Sequence, residues 1–277
     1  MDWAQACEAQ YGRTQSQLRQ ANNAGNIFAI IVFLAAAVFS CVCCCTWKRV
    51  AAQHNMWTSL GRFSALMCLG SVAGALAWLF FLYTNELGYR ANDASLRNQR
   101  QRSLDFEAYN RWFAAFLIMY GLQFLCLILC KLMLLGRLTD GSALGTKPSH
   151  TSAVSLWRRL LDKRVLRAIY RLISAVVLVC SVTSMIACIA AGAYDVQLAG
   201  IFQQSASLCD AQGSPTNASD ALQFAVQAAA DSSNTAGTVQ SISEAVALVL
   251  ISADYLLLVL LSVAAFRHEQ ETLNPKP

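Results

Sequence analysis

Five apolar runs alternate with polar segments along this 277-residue chain, at about 25–45, 63–83, 112–135, 166–194 and 242–266. A hydrocarbon core of ~30 Å needs roughly 20 apolar residues in a helix. Backbone groups in lipid must be satisfied within the segment or in a closed barrel. Barrel strands would alternate over short stretches, and these runs do not. The pattern therefore predicts an all-α integral membrane protein, a bundle of five transmembrane helices. The fourth run exceeds the length of a span, so its ends project or the helix tilts. Outside the membrane domain 25–266 lie an N-terminal segment, 1–24, and a tail, 267–277. Within it, 195–241 reads as an outer loop with a short helix near 220–230. The interleaved charges of 92–111 predict a solvated helix running into the third span.

Charge gives the spans a direction. No Lys or Arg occurs in the 95 residues between Arg171 and Arg267, whereas six of the fourteen residues from Arg158 to Arg171 are basic. Short loops rich in Lys and Arg stay in the cytosol. With the adjoining helix ends, which add Lys131, Arg167 and Arg171, fourteen basic residues fall on the side of the 46–62 and 136–165 connections and the C-terminus, and seven on the other. The N-terminus is thus expected outside and the C-terminus in the cytosol, in the plasma membrane or a secretory-pathway membrane. Only 13% of residues are charged and 56% are hydrophobic, against about 25% charged in soluble domains. The net charge of +5 does not point to nucleic acid, because the basic residues cluster beside apolar runs, where they serve topology and lipid headgroups.

Two features of the outer side agree with this direction. Asn217-Ala218-Ser219 is a glycosylation sequon in the loop assigned to the outside. Cys7 and Cys209 are the two cysteines outside the apolar runs; both are expected outside, where disulfides persist, and a bridge between them would tie the N-terminal segment to the last loop. On the inner side, Cys41, Cys43, Cys44 and Cys45 close the first span. They suit S-palmitoylation or plain helix packing. Their spacing does not suit zinc, and no other metal site or cofactor motif is evident.

Within the spans, Asp254 stands out. By run length it sits midway along span five, where a charge costs on the order of 2.5–3.5 kcal/mol. Tyr120 and Gln123 of span three and Ser181 and Ser184 of span four fall at similar depth. The five residues could make one polar cluster, serving either a proton, ion or ligand site or a hydrogen-bonded structural contact. Gly70 and Gly74 form a GxxxG pattern in span two, suited to packing within the chain or to a homo-oligomer or membrane-protein partner.

The stretch 155–172 reads as a basic amphipathic segment. Arg158, Arg159, Lys163, Arg164, Arg167 and Arg171 suit anionic lipid on the cytosolic face, each worth about 1 kcal/mol near the surface. Catalytic signatures such as G-x-S-x-G, H-E-x-x-H, Walker A and the dinucleotide fingerprint are missing from the sequence. The expectation is a multi-pass membrane protein of receptor-like, scaffold or accessory type that is not an enzyme. The alternative is a small transporter or channel using Asp254.

Overall fold

The computed structural model describes residues 3–54, 59–92, 99–142, 163–211 and 218–273, with side chains described chiefly over 19–46, 61–91, 101–136, 168–204 and 223–257. All are helical: α1 Trp3–His54, α2 Ser59–Asn92, α3 Gln99–Ser142, α4 Lys163–Ala211 and α5 Ala218–Leu273. Each contains a stretch long and apolar enough to cross a membrane. The helices have 34 to 56 residues, so they are about 50–85 Å long, well beyond a ~30 Å core.

Their length follows from composition. None of the five helices contains a proline, the residue that breaks the backbone ladder most severely. The stretch 195–241, expected to be mostly loop, is helix up to Ala211 and again from Ala218. Six of the first thirteen residues of α5 are alanine, the best helix former, and polarity alone does not oppose a helix. The helix expected within 92–111 is present as the first turns of α3, from Gln99.

The helices pack in chain order, α1 on α2, α2 on α3, α3 on α4 and α4 on α5, with a smaller contact between α3 and α5. Among the described residues α1 makes its main contacts with α2 alone. Its other face is apolar and open, with Phe28 68% and Phe39 71% exposed. The densest packing is where α3, α4 and α5 meet. Ile128, Leu132, Val177, Ala247 and Ile251 form a buried cluster there, flanked by Phe124, Ile173 and Tyr255.

Small residues set the close approaches. A Cβ on Gly70 would come within 2.9 Å of the Cys126 Cβ, and one on Gly74 within 2.7 Å of the Phe33 ring and 3.0 Å of Gln123 Cδ. Gly70 and Gly74, a candidate oligomer face by sequence, are therefore enclosed by the chain's own α1 and α3. Gly121 of α3 lies against Met185 and Cys188 of α4, and Gly192 of α4 against the Ala114 carbonyl of α3. Near the C-terminal end of α2, Trp112 of α3 packs on Phe80 and Tyr83 with ring centroids 5.3 and 5.2 Å apart.

Candidate functional site

Two hydrogen bonds fix how α4 and α5 sit together. Ser184 Oγ donates to Glu244 Oε1 at 2.8 Å, and Ser233 Oγ donates to Asp195 Oδ1 at 3.2 Å. Eleven residues along α4 match eleven back along α5, so the helices run antiparallel in strict register. The buried seam of α4 is Val177, Ser181, Ser184, Cys188, Ala191 and Asp195. Steps of three and four are the spacing by which long helices keep one stripe against a partner. The facing stripe of α5 includes the buried Gln240, Ala247, Ile251 and Asp254.

Glu244 is the hub of this seam. Besides Ser184, its Oε1 accepts from Gln240 Nε2 at 3.1 Å, and its Oε2 accepts from Tyr120 Oη at 3.0 Å. Three helices thus deliver three neutral donors to one carboxylate. Cys188 lies within electrostatic reach. No Lys or Arg is near in sequence on α4 or α5, because none occurs between Arg171 and Arg267.

The structure thus divides the five residues that the sequence placed at one depth. Tyr120 and Ser184 meet, but on Glu244 rather than Asp254. Gln123 is 7% exposed and packs beside Gly74 of α2, with its Oε1 lacking a hydrogen-bond partner. Ser181 donates to the Val177 carbonyl of its own helix at 2.8 Å. Asp254 is 3% exposed, and its Oδ2 has no hydrogen-bond partner.

Contacts trace one level across all five helices. Phe33 meets Gly74, Gly74 meets Gln123, and one turn from Gln123 Tyr120 joins Ser184 on Glu244. Phe33, Gly74, Gln123 and Ser184 lie within four residues of the centres of the first four apolar runs. Glu244 shares that level on α5. Asp254 lies ten residues farther along, about 15 Å, toward the end where Tyr170 Oη donates to the Leu132 carbonyl at 2.7 Å. Ser233 and Gln240 precede the apolar run 242–266 and Glu244 lies at its start, yet Gln240 is buried and Ser233 and Glu244 are hydrogen-bonded to α4.

Polar contacts also join neighbouring helices away from the Glu244 level. The Arg19 guanidinium pairs with Glu86, which also takes Arg90 at 3.3 Å, linking α1 to α2. Arg111 Nη2 donates to Gln203 Oε1 at 3.3 Å, linking α3 to α4. Glu244, Gln240, Asp195 and the Arg19–Glu86 pair escaped the sequence reading. The three-and-four spacing of small and polar residues in α4 was the one signal for the first three.

The remaining candidates fall partly out of view. Asn217, Arg158 and Arg159 lie outside the described residues, as do the side chains of Cys7, Cys209, Lys163, Arg164 and Arg167. Arg171 is exposed. Cys41 and Cys45 are exposed, while Cys43 and Cys44 are half-buried. Among the described residues no group of three or more His, Cys, Asp or Glu side chains is placed to hold a metal ion. No family model matches the chain, and neither a curated protein nor a solved structure is found to be similar to it.

Proposed function

We propose that this chain is a non-catalytic membrane scaffold, receptor-like or accessory in type, inserted with its N-terminus outside and its C-terminus in the cytosol. The observation that carries the reading is the helical hairpin α4–α5. It continues unbroken from the apolar level to Ala211 and from Ala218, and side-chain bonds hold it in register on both sides of Glu244's outer turn. From Asp195 to Ala211 is seventeen residues of helix, about 25 Å. Such a rigid, polar projection presents a surface to a partner on the outer side. The apolar faces of α1, α4 and α5 meet lipid, and the basic residues from Arg158 to Arg171 meet anionic headgroups on the cytosolic leaflet.

This topology carries three modifications: a glycan at Asn217, a disulfide between Cys7 and Cys209, and acylation at the inner end of α1. Exposure favours Cys41 and Cys45 over Cys43 and Cys44 for acylation. In a eukaryotic host, Asn217→Gln is expected to abolish a glycosidase-sensitive gel shift. Loss of that shift with the wild-type chain as well would remove this support for the orientation.

A second reading, transport of a proton or cation, is favoured by one observation, the buried Asp254 side chain whose Oδ2 lacks a hydrogen-bond partner. Reconstitution separates the two. Proteoliposomes under an imposed pH gradient are expected to show no proton or sodium flux above protein-free vesicles. A flux that Asp254→Asn abolishes would replace the scaffold by a transporter.

A further inference from the structure

The register that pairs Ser184 with Glu244 and Asp195 with Ser233 carries ten residues farther to set Ser174 opposite Asp254. Both side chains end in a buried oxygen that lacks a hydrogen-bond partner, Ser174 Oγ and Asp254 Oδ2. Burying one unsatisfied oxygen is costly, and two facing each other across one seam share a remedy. A proton on Asp254 turns Oδ2 into a donor, and Ser174 Oγ into its acceptor, directly or through one water. We propose that Asp254 and Ser174 form a proton-binding site.

The two carboxyl groups differ in what faces them. Glu244 is met by Tyr120 of α3, Ser184 of α4 and Gln240 of its own helix, all donating, with the Cys188 thiol beside it. Asp254 has apolar neighbours one turn back, Ile251 and Leu250, in the cluster with Val177 and Leu132. The titratable groups near its level are Tyr255, Tyr170 and two cations. Tyr255 lies within electrostatic reach of both Asp254 and Tyr170, and the Tyr170 hydroxyl is committed to the Leu132 carbonyl. Lys131 of α3 and Arg171 of α4 are exposed.

The inference names the ligand of the second reading's site but does not rest on net transport, since a proton can bind without crossing. Infrared difference spectroscopy on the full chain in lipid reads it. Exposed carboxyl groups are ionised at neutral pH, so a protonated-carboxyl C=O band that persists there comes from a buried carboxyl, Asp254 or Asp195, and the variants assign it. Asp254→Asn is expected to remove that band. Ser174→Ala is expected to keep it at higher frequency, as for a carboxyl that loses its acceptor, and Glu244→Gln to leave it in place. Helical circular dichroism of each variant shows whether it has folded, and Ser174→Ala keeps the test open if Asp254→Asn has not. A band lost in Glu244→Gln and kept in Asp254→Asn would overturn the assignment, and so would no band at neutral pH in the wild-type chain. The vesicle flux measurement fails or succeeds independently of either result.

Discussion

Glu244→Leu is expected to destabilise the α3–α4–α5 corner by about 2 kcal/mol. The substitution leaves the Tyr120, Ser184 and Gln240 donors without their acceptor. Hydrogen bonds between membrane helices average only about 0.6 kcal/mol each, so three together reach that figure without invoking a buried charge. Glu244→Gln preserves an acceptor oxygen and the side-chain length, and its amide can donate to either hydroxyl. Its cost is expected to stay below about 1 kcal/mol. Thermal unfolding in detergent, followed by tryptophan fluorescence, ranks the two variants. Equal stability of Leu, Gln and wild type would show that the donors find other partners and that Glu244 does not organise the corner.

Gly70→Ala is expected to lower stability even though alanine favours helix by about 1 kcal/mol over glycine. The new methyl would meet the Cys126 Cβ at 2.9 Å. Both atoms sit directly on helix backbones, so neither can swing aside, and α2 and α3 must separate. Overpacking of this kind costs about 1–3 kcal/mol. Cys126→Gly removes the obstructing Cβ and is expected to restore part of the loss in the double variant, although it is itself unfavourable alone. Gly74→Ala meets mainly the Phe33 ring, a side chain that can rotate, and is expected to be milder. The same unfolding measurement checks all four. A double variant no better than the sum of its singles would mean that Gly70 does not pack on Cys126.

The helical class and the number of apolar stretches were legible in the sequence because length and apolarity together leave a segment few alternatives. Gly70 and Gly74 were legible as a close-packing pattern, and the structure shows that the neighbours are α1 and α3 of the same chain. The ends of the helices were not legible. Residues 195–241 look like loop because they are polar, yet alanine-rich polar sequence makes good helix when a partner helix covers one stripe. That partner is distant in sequence, and only the matched seams of α4 and α5 reveal it. The level of Glu244 was hidden for the same reason. A hydropathy run marks where side chains are apolar all round, whereas a seam flanked by Ser233, Gln240 and Glu244 is polar on one face and apolar or small on others. Asp254 was legible as a buried acid, but its level and its facing residue Ser174 required the register.

The register of α4 against α5 supports the hub at Glu244, the proposed pairing of Asp254 with Ser174 and the α4–α5 hairpin alike, and cysteine cross-linking reads it directly. Take a background with the native cysteines replaced and a protease site inserted between α4 and α5. Asp195→Cys with Ser233→Cys is expected to form a disulfide on mild oxidation, holding the cleaved halves together on a non-reducing gel. Asp195→Cys with Gln240→Cys, offset by seven residues or about 10 Å along the helix, is expected to leave them separate, since bridged Cα atoms lie within about 7 Å. Cross-linking of the offset pair in preference to the 195–233 pair would contradict the register.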